Sequence, residues 1–264
     1  MNIFTKESLI NRLIEISEMD WVPNARSGNH GGIGNTLEDL LGIEENNLPL
    51  PNAAEWELKA QRLNTSSLTT LFHMEPSPTA LKFVPLRLLP LYGWAHKEAG
   101  RRYPVSEMSF RQTINGQSRS DRGFKVEVDR ENRKILISFD YLTVSSKHHT
   151  WLQDVERRVG LNNLDPQPYW GFDDLANKAG TKLLNCFYVQ AERKKKDGIE
   201  YFRYTKVTML KQFSFEKFLN GVESAKILVD FDARTGHNHG TKFRIRQNTL
   251  LDLYQDAQVI VDNV

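Results

Sequence analysis

Two residues in the first quarter of the chain have the types and the spacing for phosphodiester hydrolysis. Glu57 and Lys59 lie two positions apart in the alternating segment 54–59, so both side chains project from one face of a strand. A carboxylate holds a hard divalent cation through oxygen, and the cation polarises a phosphate and lowers the pKa of an attacking water. A lysine beside it orients that water and offsets charge on the phosphate. The pair therefore predicts metal-assisted hydrolysis.

Such a site usually needs a second acidic group, and Glu38, placed at the start of a predicted helix, offers a further carboxylate across a cleft. Taken alone, Glu-x-Lys is a weak signal, because any amphipathic strand with a solvated face produces it. The surrounding elements and a wider sequence pattern have to decide its meaning.

The elements predicted around this pair belong to a mixed α/β (α+β) fold. Thr5 caps a helix over 5–19, and a glycine-rich stretch leads into a helix over 36–41 capped by Asn35 or Thr36. The other predicted elements are strands at 54–59 and 65–72 lying side by side, a hairpin over 124–139, a helix at 171–184, a hairpin of 186–192 and 199–209, a helix at 214–220, strands at 226–232 and 242–246, a helix at 248–254 and a strand at 257–262. Strands and helices do not alternate regularly, which favours a mixed sheet over a Rossmann or barrel fold.

The composition excludes several classes of protein. The 264 residues include 35 Lys and Arg against 33 Asp and Glu, a formal charge of +2, so the chain is neither a polycation nor an acidic disordered tail. No apolar run approaches the roughly 18 residues of a membrane helix, and the N-terminus lacks signal-peptide features. The single cysteine, Cys186, excludes an internal disulfide and a multi-cysteine metal site, and its apolar surroundings are typical of a buried thiol. We expect a cytoplasmic globular protein without membrane contact.

Several separate segments form a pattern more specific than Glu-x-Lys. They are 28–42 (GNHGGIGNTLEDLLG), 44–48 (EENNL), 56–59 (WELK), 67–73 (SLTTLFH), 229–230 (VD) and 237–245 (HNHGTKFRI). In this order they resemble the MvaI/BcnI family of Type II restriction endonucleases, relatives of the mismatch-repair nicking enzyme MutH. The resemblance spans essentially the whole chain and is weakest between about 80 and 175.

The resemblance implies a fold and a function. It implies one endonuclease domain over 1–264 with a PD-(D/E)XK nuclease core, whose two lobes form a DNA-binding cleft. Its catalytic centre would lie within 28–75 and its recognition segments around 97–125 and 228–246. It also implies Mg²⁺ as cofactor, with Mn²⁺ or Ca²⁺ able to replace it for binding, and double-stranded DNA as partner. A cognate DNA methyltransferase would be a functional, not a physical, partner. The enzyme would be a bacterial or archaeal monomer that cuts a short CC/GG-type site one strand at a time.

The family's catalytic pattern is an acidic residue, four further residues, and then Glu-x-Lys. Glu57 and Lys59 match it, and Glu38 matches the family's helix glutamate. Asn52 stands in the acidic position; its carbonyl ligates a cation but brings no charge. Three interpretations remain open. The aspartate was replaced deliberately to trap uncleaved DNA, which we favour because a disabled nuclease is easiest to produce; the protein is naturally inactive; or Glu55, on the same strand face, takes over.

Candidate DNA contacts fall in two main segments. Segment 97–125 has an excess of basic residues and a polar run, 113–120, whose groups bond phosphates and base edges; a solvated loop is the alternative. Segment 228–246 mixes Asp, Arg and His, which suits G·C readout, because arginine reads guanine and a carboxylate accepts from cytosine N4. The candidates are His30, His73, Arg111, Arg119, Arg122, Asp230, Asp232, Arg234, His237, His239, Lys242 and Arg244.

Some of these residues have a plainer explanation. His30 and His73 are equally explained as exposed loop histidines. His237 and His239 would form a metal site only with a third soft ligand, which their segment lacks. The basic run 193–196 precedes a turn and is predicted to face solvent. Two rival functions also remain: a non-cleaving DNA-binding protein, which Asn52 favours, and a MutH-like repair nickase directed by methylation.

Overall fold

The computed structural model describes residues 4–24, 26, 32–43 and 56–264. The predicted residues His30, Asn52 and Glu55 lie outside the described residues. None of the helices in the described ranges is long and apolar enough to span a membrane.

The helices form where the sequence has an apolar stripe or a capping residue. The Thr5 side chain accepts the N–H of Ser8 at 3.1 Å, and the Ser8 hydroxyl accepts the N–H of Thr5 at 2.9 Å, a capping box that fixes the start of the first helix. The described α-helices are α1 (Lys6–Glu18), α2 (Gly32–Leu41), α3 (Leu89–Tyr92), α4 (His149–Val159), α5 (Phe172–Leu183) and α6 (Phe215–Glu223). The prediction of an Asn35 or Thr36 cap is wrong, because α2 begins at Gly32.

The strands form three sheets. The described strands are β1 (Val22–Pro23), β2 (Glu57–Arg62), β3 (Thr69–His73), β4 (Trp94–Ala95), β5 (Met108–Ile114), β6 (Phe124–Asp129), β7 (Lys134–Phe139), β8 (Tyr169–Gly171), β9 (Asn185–Lys196), β10 (Ile199–Phe213), β11 (Ile227–Arg234), β12 (His237–Asn238), β13 (Lys242–Ile245) and β14 (Tyr254–Asp262). The first sheet has the order β1-β10-β9-β2 with β14 also on β10, the second β3-β13-β11-β5-β4 with β12 on β11, and the third β6-β7-β8. In the first sheet β2 is parallel to β9 while β9 and β10 are antiparallel, so the mixed α+β prediction is confirmed.

The chain divides into two compact units. The first unit comprises Met1–Thr69, Asn177–Lys217 and Gln247–Val264, and the second comprises Thr70–Ala176 and Phe218–Arg246. The first sheet belongs to the first unit, and the third sheet and nearly all of the second sheet belong to the second.

The core of the first unit lies between one face of its sheet and the two N-terminal helices. Leu9 and Leu13 of α1 and Leu37 of α2 are buried against Phe187 of β9 and other apolar residues of the sheet. This burial is the main stabilisation of a short helix such as α2, whose isolated propensity is low. The opposite face carries Glu57 and Lys59 together with buried residues such as Cys186 and Leu210.

Two sequence predictions are wrong: one concerns which strands pair, and the other concerns the type of one element. The segment 65–72 was expected to pair with the strand of Glu57, but β3 pairs with β13 and β2 pairs with β9. The helix expected at 248–254 is a single 3₁₀ turn, Leu250–Leu253, that leads directly into β14. The predicted hairpin of β6 and β7 and that of β9 and β10 are confirmed.

Candidate active site and recognition cluster

Glu57 is the first residue of β2, the last strand in the order of the first sheet. Because side chains alternate, Glu57 and Lys59 share a face while Leu58 lies in the core on the other face. The parallel register pairs Glu57 with Cys186 and Lys59 with Tyr188, so these four side chains are neighbours on that face. The predicted juxtaposition of Glu57 and Lys59 is present.

The Glu57 carboxylate is buried and holds two lysines. Its residue is only 2% exposed. Oε1 accepts from Lys59 Nζ at 2.6 Å, and Oε2 lies 3.0 Å from Lys182 Nζ. Among the described residues, Oε2 has the ion contact but no well-directed hydrogen bond. A carboxylate removed from water needs such compensation, and two cations supply it.

Lys182 is a site residue that sequence reasoning missed. It lies in the last turn of α5, which runs directly into β9, the neighbour of β2. Its place depends on the parallel pairing of two strands far apart in sequence. No local spacing connects it to Glu57, so only a correct strand order could have found it.

Cys186 and Tyr254 are neighbours of Glu57. Cys186 is fully buried, and burial raises the pKa of its thiol to about 12. Burial also raises the pKa of Tyr254 well above its usual range, and the Glu57 charge adds to this. Both groups are therefore neutral at physiological pH, which leaves Glu57 and the two lysines as the charges of the site.

Tyr188 supports the middle of β2 on the same face. Its hydroxyl donates to Gln61 Oε1 at 2.5 Å, and Gln61 Nε2 donates to the Ser67 carbonyl at 2.8 Å. Burial raises the pKa of Tyr188 to about 12, so the hydroxyl remains a donor. The chain of bonds holds the strand that presents Glu57.

The buried thiol yields a testable prediction. The pKa of Cys186 is about 12 in the folded chain, against about 8.5 for an unfolded thiol. Its thiolate fraction at pH 8 is therefore lower by about 10³-fold, and alkylation by iodoacetamide should be slower by at least that factor than in urea. Mass spectrometry of labelled protein, native against unfolded, measures the ratio. Comparable labelling rates in the two states would contradict the buried position.

Of the two other predicted metal ligands, Glu38 and Asn52, the described residues include only Glu38. Glu38 lies in the second half of α2, not at its start as predicted, and is half-buried. Within the described ranges, no group of three or more His, Cys, Asp and Glu side chains could hold a metal ion. Asn52 lies outside those ranges.

A second polar cluster lies on the sheet of the second unit. Alternation places Asp230, Asp232 and Arg234 on one face of β11. Arg111 Nε donates to Asp232 Oδ1 at 2.7 Å, and Arg244 Nη1 lies 3.3 Å from Asp230 Oδ2. Each of the two carboxylates on this face is therefore paired with an arginine of a neighbouring strand.

Further contacts complete this recognition cluster. Arg234 Nη1 donates to Glu107 Oε1 at 2.9 Å, and Lys242 Nζ lies 3.8 Å from Asp232 Oδ2. Burial opposes ionisation of Asp232, but the hydrogen bond and charge of Arg111 outweigh it and hold the pKa of Asp232 below its usual range. The same bond raises the pKa of Arg111. Asp232 is thus a fixed anion and acceptor.

A cavity of about 200 Å³ opens at this cluster. Its lining includes Arg111, Asp232 and Arg234. His96 and Tyr103, which sequence reasoning missed, form another part of the wall. They come from a segment without clear periodicity, so no pattern pointed to them.

Three of the predicted histidines, His73, His237 and His239, lie around one loop. The rings of His237 and His239 are 4.3 Å apart in an edge-to-face arrangement, and both line the cavity. A Cβ added at Gly240 would lie 3.4 Å from Cδ2 of His73, which places His73 beside the same loop. Glu75 fixes the loop, accepting from the Thr241 N–H and hydroxyl at 3.0 Å each.

Arg119 and Arg122, two of the predicted DNA contacts, make contacts within the second unit. The Arg119 guanidinium donates to the Gly123 carbonyl and the Ser138 hydroxyl, both at 3.1 Å. The Arg122 guanidinium lies 3.8 Å from the ring centroid of Trp94, and its burial lowers its pKa. The structure places neither of them in the recognition cluster.

Comparison with known proteins gives the same family over nearly the whole chain. The model of the MvaI/BcnI restriction endonuclease family matches residues 10–254. No curated protein matches the sequence. A solved complex of restriction endonuclease MvaI with its cognate DNA substrate is similar with a TM-score of 0.77 and 25% identity, over 98% of this chain and 100% of that one. MvaI in the absence of DNA is similar with a TM-score of 0.53 and 25% identity, over 99% and 100%. The chain therefore belongs to the MvaI/BcnI restriction endonuclease family and is by that membership a Type II site-specific deoxyribonuclease.

Proposed function

We propose that this chain binds double-stranded DNA and hydrolyses it at a short CC/GG-type site, as the nuclease of a restriction–modification system. It would act as a Mg²⁺-dependent PD-(D/E)XK enzyme and, as a monomer, cut the strands in turn. The observation that carries the chemistry is the buried Glu57 carboxylate with Lys59 beside it on the same strand face. The MvaI structure with cognate DNA supports DNA as the substrate.

The residues of the first unit suit hydrolysis by water. Lys59 Nζ lies against Glu57 Oε1 and is placed to orient a water and offset charge on the phosphate. Lys182 neutralises the other carboxylate oxygen and holds the glutamate in place. Water attacks the phosphorus, the bond between phosphorus and O3′ breaks, and O3′ takes up a proton. The products are a 5′-phosphate and a 3′-hydroxyl.

Glu57 fits a hard divalent cation. Its Oε2, buried and paired with Lys182 but without a directed hydrogen bond among the described residues, is an oxygen donor of the kind Mg²⁺ prefers, and a bound cation would take the place of Lys182 there. Glu57, Asn52 and Glu38 would hold the ion. When bound, it would polarise the phosphate and lower the pKa of the attacking water.

The recognition cluster supplies the groups that base edges require. Arg111 and Arg234 offer paired donors for guanine, and Asp232 offers an acceptor for the N4 amino group of cytosine. The presence of these donors and this acceptor in one cluster supports readout of G·C pairs. The paired Arg111 would have to leave Asp232, at least in part, to reach a base.

Incubation with supercoiled plasmid tests the proposal. With Mg²⁺ or Mn²⁺ we expect discrete fragments that arise through a nicked intermediate, and no product with EDTA. Sequencing the cut ends gives the site. Random degradation, or cleavage that persists in EDTA, would overturn the proposal.

A second candidate is a DNA-binding protein that does not cut. Asn52 favours it, because an amide in place of a carboxylate weakens both cation binding and charge stabilisation. Gel-shift binding without cleavage, by both the natural chain and its Asn52→Asp variant, would select this candidate.

Removal of Lys182 should reveal the cation site through stability. Lys182→Met removes the ion partner of the buried Glu57 Oε2, and we expect the free energy of unfolding to fall by about 1–3 kcal/mol. Mg²⁺ bound at Glu57 would replace the lost cation, so Mg²⁺ should stabilise the variant more than the natural chain. Urea denaturation with and without Mg²⁺ measures both effects. Lys178→Met, one turn earlier on α5, is the control and should change neither; an equal Mg²⁺ effect in all three proteins would contradict a cation at Glu57.

A further inference from the structure

The loop over 96–107 carries exposed positive charge at the edge of the recognition cavity. Lys97, Arg101 and Arg102 are all exposed. The same loop contributes His96, its first residue, and Tyr103 to the cavity wall. The charges therefore lie within a few residues of groups that face the cluster of Asp232.

Backbone hydrogen bonds hold this loop in one shape. The Glu98 carbonyl accepts the N–H groups of Arg101, Arg102 and Tyr103 at 3.2, 3.1 and 3.1 Å. Gly100, with a φ of +75°, donates its N–H to the Tyr103 carbonyl at 2.8 Å. At the base of the loop, the His96 N–H donates to the Glu107 carbonyl at 2.8 Å. A loop fixed in this way loses little entropy when its side chains bind a ligand.

Aromatic and ionic contacts tie the loop to the cluster. The Arg234 guanidinium lies 4.6 Å from the Tyr103 ring centroid, and that of Arg102 lies 5.7 Å from it. The His96 ring stands edge-on to Tyr103 at 4.9 Å. A buried Glu107 then holds Arg234. The position of the loop is thus fixed relative to the residues that face base edges.

We infer that the 96–107 loop is a phosphate-binding surface, on which Lys97, Arg101 and Arg102 contact the DNA backbone beside the base pairs that the recognition cluster reads. This rests on the proposed function. Exposed cations next to a base-reading site suit backbone contacts, which position a protein on DNA without reading sequence. In the same segment, Arg111 belongs to the recognition cluster, and Arg119 and Arg122 make contacts within the protein.

Salt dependence of DNA binding tests the inference. The triple variant Lys97→Ala, Arg101→Ala, Arg102→Ala is compared with the natural chain on a mixed-sequence duplex of about 30 base pairs, in Ca²⁺ and between about 50 and 200 mM KCl. Three lost phosphate contacts should lower the slope of log affinity against log salt by about 2.7, so that the affinity lost over this range is about 40-fold smaller. Each single variant should lower the slope by about 0.9.

A charge-matched control separates contact from net charge. Lys194→Ala, Lys195→Ala, Lys196→Ala removes three exposed cations from the tip of the β9–β10 hairpin and should leave the slope unchanged. An unchanged slope in the loop variant, or an equal fall in both variants, would overturn the inference. If the natural chain does not bind the duplex at the lowest salt, the proposed function itself fails. Circular dichroism melting confirms that the variants are folded.

Discussion

Replacing Asn52 by aspartate is expected to raise the rate of plasmid cleavage in Mg²⁺ by about 10²- to 10³-fold. A carboxylate in this position adds a charged oxygen ligand to the cation proposed at Glu57. Stabilisation of the reacting phosphate by a bound cation amounts to several kcal/mol, and each 1.36 kcal/mol is a factor of about ten in rate. Single-turnover cleavage of supercoiled plasmid by the natural chain and by Asn52→Asp gives the ratio.

A matched substitution isolates the effect of that position. Asn47→Asp introduces the same charge five residues upstream and should leave the cleavage rate unchanged. If the natural chain already cuts as fast as Asn52→Asp, Glu55 or Glu38 completes the site and the assignment of the acidic position is wrong. If neither protein cuts but both bind DNA, the non-cleaving candidate is favoured.

Local patterns in the sequence predicted the parts of the site that lie on a single element. Alternation placed Glu57 beside Lys59, and the mixture of Asp, Arg and His in segment 228–246 pointed to the polar residues now found on β11. The first prediction depends only on the two-residue period of a strand, and the second only on local composition. The capping residue of α1 is likewise a property of adjacent residues.

Residues that depend on strand order were not predictable in the same way. Lys182 reaches Glu57 because β9, which follows its helix, pairs with β2. The expectation that β3 would be that neighbour was wrong, since alternation shows which face is buried but not which strand is adjacent. His96 and Tyr103 reach the recognition cluster because β5, with which β4 pairs, lies beside β11. Buried and exposed residues do not alternate along β5, so its sequence has no two-residue period by which the strand could be recognised.

Arg119 and Arg122 show what the basic composition of a segment leaves open about its arginines. An excess of basic residues predicts a charged segment, but a guanidinium also serves as an internal donor and as a partner for aromatic rings. Arg119 makes the first kind of contact and Arg122 the second. Sequence composition does not distinguish these uses from binding to a phosphate. The exposed cations of the 96–107 loop are distinguished from them only by burial and contacts.

Replacing Glu57 by glutamine should abolish cleavage in whichever form of the chain cuts, with a loss of at least about 10³-fold. The amide keeps the shape of the side chain but removes the charge that holds a cation. It also leaves Lys59 and Lys182 without their counter-charge in a largely buried site, which should lower the free energy of unfolding by about 3–5 kcal/mol. Binding to DNA in EDTA should be retained, because the recognition cluster belongs to the other unit.

Glu200→Gln separates the loss of catalysis from the loss of stability. The Glu200 side chain, 16% exposed, also pairs with two cations of the first unit, Arg62 and Arg193, but lies outside the candidate active site. We expect it to lower stability in urea denaturation while leaving the cleavage rate within a few fold of its parent. An equal loss of cleavage in both variants would show that Glu57 acts only through the fold. If both variants are less stable but only Glu57→Gln loses cleavage, the loss of stability does not explain the loss of cleavage. The Glu57 carboxylate is then assigned to the reaction.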